Sequence, residues 1–173
     1  MGFTRIRRTL EPKWVSLYCA EHYPTAEVRL GCPLGGIPKE TLRDYGMLKG
    51  LRVYRPWRPE VDAVVILTNM LILIEAKISK YMDGLSKLPV YKALVPQTPE
   101  LKHVAHRPIY MKLLIPHKIP WVLDAAEPMG VTVEVWVPDF IQKVWEERDS
   151  YWTKDAVTKR EARKKKLEEL GYK

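Results

Sequence analysis

The chain has 173 residues, enough for one domain with a buried core, and its 46% apolar and 29% charged content is that of an ordinary globular protein, not a disordered or fibrous one. Lysine and arginine number 29 against 21 aspartate and glutamate, a net charge of +8 that favours polyanionic partners such as DNA or RNA. Only two cysteines occur, Cys19 and Cys32, at no metal-ligand spacing, which argues against a disulfide framework or structural zinc; the longest apolar runs fall far short of the about 20 residues of a membrane-spanning helix.

In chain order, Met1 to Arg8 lacks the apolar core of a secretory signal, so a cytoplasmic location with reduced thiols is expected. Glu11 to Tyr23 reads as a first helix, with Pro12 in its opening turn and Pro24 closing it. Thr25 to Gly31 reads as a short strand and Cys32 to Gly36 as a loop. Lys39 to Leu48 is a short helix candidate, Leu51 to Tyr54 is expected to be extended, and Arg55 to Pro59 is too proline-rich for a central strand.

Val61 to Lys77, VDAVVILTNMLILIEAK, reads as a hairpin turning at Thr68-Asn69. The runs Ala63 to Leu67 and Met70 to Ile74 are apolar at every position, the pattern of strands covered on both faces. Stepping outward from the turn pairs Leu67 with Met70, Ile66 with Leu71 and finally Asp62 with Glu75. Directly opposed residues share a face at roughly 5 Å between Cβ atoms, and Lys77 lies two positions beyond Glu75 on that face. Two carboxylates so opposed repel unless a cation or proton intervenes, and a hard divalent metal ion is the simplest cation to place there. The same register puts Glu60 opposite Lys77, so a salt-bridged strand end formed by Glu60, Asp62, Glu75 and Lys77 is the alternative.

An Asp on one strand of an apolar hairpin and a Glu-x-Lys on the other resembles the PD-(D/E)xK nuclease superfamily, with Pro59 three positions ahead of the Asp instead of beside it. In this hairpin the chain is also similar to archaeal Holliday-junction resolvases. The resemblance implies an α/β restriction-endonuclease-like αβββαβ core with a mixed sheet and a C-terminal helical extension. It implies that Asp62, Glu75 and the Ala76 carbonyl ligate Mg²⁺ or Mn²⁺, that Lys77 orients or deprotonates the attacking water, and that DNA is hydrolysed. Many members add an acid from the first helix, for which Glu21 is the candidate, with Glu27 and Glu40 as rivals. A resolvase role would require a homodimer. The competing expectation is a non-catalytic nucleic-acid-binding or assembly protein, such as a phage or mobile-element component, on the same fold.

Met82 to Val95 has helical content despite Pro89, and Pro96 to Pro108 reads as a loop carrying His103 and His106. Ile109 to Ile115 reads as a buried strand, Trp121 to Met129 as a helix, Val131 to Val137 as a strand, and Pro138 to Leu170 as one or two charged helices. The division expected is a nuclease-like domain over 1–153 and a basic helical tail over 154–173. Lys80 and Lys87, and Arg163, Lys164 and Lys165 in the basic run that begins at Lys159, are the candidate phosphate contacts.

Overall fold

The computed structural model describes the backbone of residues 3–150 and 154–169 and the side chains of 10–146, 157–163 and 165–169. The chain divides into two compact units, Met1–Trp136 and Val137–Lys173, a boundary ahead of the 153/154 division drawn from charge bias. The second unit holds two helices, α5 (Asp139–Ser150) and α6 (Lys154–Glu169).

The first unit is a mixed α/β layer built on five strands: β1 (Glu27–Pro33), β2 (Glu60–Ile66), β3 (Leu71–Ala76), β4 (Ile109–Ile115) and β5 (Val131–Val135). Spatial order follows chain order, with β1, β2 and β3 antiparallel and β3, β4 and β5 parallel. The four helices are α1 (Phe3–His22), α2 (Lys39–Tyr54), α3 (Tyr81–Leu94) and α4 (Pro120–Ala126). Among the described residues, no helix is long and apolar enough to cross a membrane.

The hairpin has the expected register: Ala63 pairs with Ile74 and Ile66 with Leu71, and the Leu67 amide donates to the Met70 carbonyl at 3.0 Å to close the turn. Its all-apolar strands are buried because helices cover both faces. Tyr18 of α1 meets Lys112, while Gly84 of α3 lies over the neighbouring Leu113. Successive strand residues point to opposite faces, so α1 and α3 lie on opposite sides of the sheet.

Several segments depart from the sequence reading. Helix α1 begins at Phe3 instead of Glu11, with Pro12 inside it. Strand β1 continues through Cys32 and Pro33, which pair with Val61 and Glu60. Proline is tolerated there because β1 is an edge strand and needs no donor on its open side. Leu51 to Tyr54 is helical, not extended, as the second half of α2, which bends at Gly46 (φ 70°, ψ 174°). Both cysteines are free and buried, and burial pushes each thiol up to about 11, so neither is a ready thiolate.

The approach to β2 is anchored by Arg58, whose side chain is almost wholly buried. Its guanidinium donates to Glu100 at 2.6 and 2.7 Å and to the carbonyls of Pro33 and Leu34 at 2.9 and 3.4 Å. A planar fork that satisfies a carboxylate and two carbonyls has no equivalent in lysine or alanine. Arg58→Ala should lower stability by about 3 kcal/mol in urea denaturation, because Glu100 and two backbone carbonyls lose their donor.

Candidate functional site

At the outer ends of β2 and β3, three side chains converge as the register requires. The Lys77 ammonium lies 2.7 Å from Glu75 Oε1, 3.9 Å from Asp62 Oδ2 and 3.0 Å from the Ala76 carbonyl oxygen. The Ala76 amide donates to Asp62 Oδ2 at 2.8 Å, which ties the aspartate to the strand across from it. Glu75 is only 2% exposed and Lys77 8%. The salt-bridged strand end is present in part: Lys77 pairs with Glu75 and Asp62, while Glu60 pairs with Arg55 at 3.0 Å instead of with Lys77.

A fourth group arrives from α1. Glu11 Oε2 lies 3.8 Å from Lys77 Nζ, and Glu11 Oε1 accepts from the Ile78 amide at 3.3 Å. The structure does not bring Glu21 here. Its carboxylate meets the Trp136 indole at 3.4 Å, beside a separate network in which Lys112 binds Glu134, Tyr18 and Tyr23 at 2.5, 2.8 and 3.0 Å. Glu11, Trp14, Tyr18 and Glu21 follow one another at helical spacing, so the two acids end one stripe about 15 Å long. Only the N-terminal acid reaches the ends of β2 and β3. A helix read as opening at Glu11 puts this acid at a fraying terminus, whereas α1 starts at Phe3 and holds Glu11 within it; the helical stripe is the signal in the sequence.

The turn into α3 fits the helix closely onto the site. A Cβ at Gly84 would lie 2.6 Å from Leu113 Cδ1 and 3.0 Å from Lys77 Cγ, so only glycine lets α3 approach the lysine stem this closely. Lys80, just before α3, has φ 56°, a left-handed conformation that costs a non-glycine residue about 1 kcal/mol and is the kind of strain found at functional sites.

Electrostatics follow from burial. Loss of water, with the charge of Asp62 added, pushes the Glu75 carboxyl up to about 7. Burial raises Asp62 as well, against the pull of Lys77. Burial alone would lower Lys77, but the carboxylates of Glu75, Asp62 and Glu11 outweigh it and hold the ammonium above its ordinary range. Among these carboxylates Lys77 is therefore held as an ammonium and hydrogen-bond donor.

Among the described residues, no group of three or more His, Cys, Asp and Glu side chains is placed to hold a metal ion. The donors that fit one are Asp62, Glu75 and the Ala76 carbonyl, an all-oxygen set suited to Mg²⁺ or Mn²⁺. Among the described residues, Glu75 Oε2 is buried without a hydrogen-bond partner, an acceptor of the sort a cation would satisfy. His103 and His106 are exposed in the segment before β4.

Of the candidate phosphate contacts, Lys87 binds Asp83 at 2.8 Å, and its charge acts on both Asp62 and Glu75. Lys80 occupies the turn before α3. Arg163 and Lys165 are exposed on α6, and the Lys164 side chain lies outside the described residues.

No family model matches the chain, and no curated protein matches it. Among solved structures, it is similar to a protein of unknown function, AF1548, at 14% identity and TM-score 0.46, over 80% of this chain and 65% of that one. It is also similar to protein VC1899 from Vibrio cholerae, at 19% identity and TM-score 0.33, over 55% of this chain and 23% of the other. The chain thus spans less than two thirds of either protein.

Proposed function

We propose that the chain is a divalent-metal-dependent nuclease that hydrolyses DNA phosphodiester bonds inside the cell, on a restriction-endonuclease-like core of the PD-(D/E)xK type. One observation carries the reading: a nearly sealed carboxylate, Glu75, keeps an oxygen without a partner among the described residues while an ammonium and two further carboxylates lie close by. Burying a carboxylate oxygen that has no partner costs stability, so a cluster built only for stability has no use for it. With helix α2 between β1 and β2 counted as an insertion, the order α1, β1, β2, β3, α3, β4, with three antiparallel strands and a parallel fourth, is compatible with an αβββαβ core.

Asp62, Glu75 and the Ala76 carbonyl would hold the ion, which when bound polarises a phosphoryl oxygen and makes water a better nucleophile at neutral pH. Lys77 keeps its proton and presents positive charge where the phosphate gains negative charge. Glu11, through Lys77 Nζ and the Ile78 amide, fixes the lysine and the strand end behind it. Lys87, which pairs with Asp83, would meet the flanking backbone.

A second reading, nucleic-acid binding without cleavage, draws on a different observation: Lys77 already occupies Glu75 Oε1 and the Ala76 carbonyl. Incubation of single-stranded, duplex and branched DNA with Mg²⁺ or Mn²⁺ separates the two. The wild type should cut at least one substrate and Asp62→Asn should cut none at a rate within about a thousandfold of it. A wild type inert on the whole panel, or an Asp62→Asn variant of undiminished rate, rejects the nuclease.

A further inference from the structure

Helix α2 leaves the sheet between β1 and β2 and returns through a single 3-10 turn, Arg55–Trp57. Only Gly50 is buried along it, and every residue from Arg43 to Lys49 is exposed. The exposed positions are not the polar ones such a solvated helix calls for. Tyr45, Met47, Leu48 and Val53 are open to solvent, Leu48 at 82%, and Trp57 at the foot of the helix is 77% exposed. Interleaved with them are four basic side chains, Lys39, Arg43, Lys49 and Arg52, against two acidic ones, and Lys49 Nζ lies 5.3 Å over the Tyr45 ring.

A surface of aromatic and aliphatic groups threaded with cations fits a partner offering both flat apolar faces and negative charge. Self-association through this face would set the same cations against one another across a two-fold axis, which is repulsive. Duplex DNA presents phosphates but keeps its base faces stacked inside. An unpaired strand presents both, and aromatic side chains on a basic surface are what such strands stack on. The location agrees. Arg55 ties the foot of the arm to the sheet by donating to Glu60 Oε2 at 3.0 Å and to the Gly31 carbonyl at 2.9 Å, and Glu60 is two residues from Asp62 on β2. From Trp57 to Asp62 the chain spans at most about 18 Å, roughly five nucleotide rises.

We infer that the α2 arm and Trp57 form a docking surface for unpaired DNA next to the Asp62–Glu75–Lys77 site, so that the substrate is a single strand or a duplex with an opened segment. The choice of DNA rests on the nuclease reading, but the test reads binding. Fluorescence anisotropy in EDTA, with a labelled twenty-nucleotide dT strand and a duplex of equal length, should show the wild type favouring the strand by about tenfold. Trp57→Ala and Tyr45→Ala should each weaken strand binding by about tenfold while leaving the duplex nearly unaffected. Lys49→Gln with Arg52→Gln should make the slope of log affinity against log salt shallower by about 1.4.

Equal affinity for strand and duplex, or wild-type strand affinity in all three variants, overturns the inference. So does a wild type that binds neither DNA while Tyr45→Ala and Trp57→Ala alter its sedimentation, which would make the arm a protein contact. The two proposals fail separately. An inert wild type whose arm variants lose strand binding sinks only the nuclease, and a cutting wild type whose arm variants bind unchanged sinks only the arm.

Discussion

Lys77→Met should give a folded protein that cuts DNA at least about a thousandfold more slowly than the wild type and is about 3 kcal/mol less stable near pH 8. The ammonium lies within 4.0 Å of carboxylate oxygens from Asp62, Glu75 and Glu11, so its loss leaves three acids around one buried centre without their common cation. Methionine keeps most of the stem that packs beneath Gly84, which confines the change to charge. The sign of the pH dependence follows from the directions of the shifts. Lys77 is held above its ordinary value, so its contribution is fully present at neutral pH and is lost only as pH rises through the raised value. Glu75 and Asp62 are raised, so without the lysine the folded state gains by taking up protons, and the deficit of the variant should shrink as pH falls from 8 to 5. Urea denaturation at both pH values in EDTA, beside single-turnover cleavage with Mg²⁺, measures the two halves. Wild-type cleavage by this variant would remove Lys77 from the site.

Local rules sufficed for some of this arrangement. The hairpin register was readable because two unbroken apolar runs flank one short polar turn, and a slip by one residue would flip the charged ends onto opposite faces. Strand β4, Ile109–Ile115, was readable for the same reason, a compact apolar run bounded by Pro108 and Pro116. Glu11 was obscured by Pro12, which looks like a helix start yet lies inside α1, whose buried Trp14, Val15 and Tyr18 face the sheet and outweigh one missing hydrogen bond. Leu51 to Tyr54 looked extended because α2 carries no apolar stripe: a helix with both sides in water leaves no periodicity to read, and Gly46 interrupts it. Cys32 and Pro33 looked like loop because proline is excluded from central strands, and only the sheet order reveals β1 as an edge. The features that resist sequence reading lie at the first-helix acid and the arm, where the protein departs from simple core-and-surface patterning.

Glu75→Gln should do the reverse of Lys77→Met to stability while also abolishing cleavage. The Glu75 carboxyl is pushed from its ordinary value up to about 7 by burial and by Asp62. A carboxyl raised in the folded state binds protons more tightly there than in the unfolded chain. Its ionisation therefore destabilises the fold progressively as pH rises from about 4.5 to about 7, and the cost is complete above that. Glutamine carries no such charge, still offers Lys77 an oxygen, and places an amide where Oε2 has no partner. In EDTA the variant should be more stable than the wild type by about 2 kcal/mol at pH 8, with little difference at pH 4.5, and its stability should vary less across that range. Adding Mn²⁺ should raise the wild-type midpoint by mass action and leave the variant nearly unmoved, because only the carboxylate binds the ion strongly. A stabilised but inactive variant is the signature of a residue retained for chemistry against the interest of the fold. If Glu75→Gln instead loses stability at pH 8 and Mn²⁺ shifts both proteins equally, the buried acid is a structural partner of Lys77 and not a metal ligand.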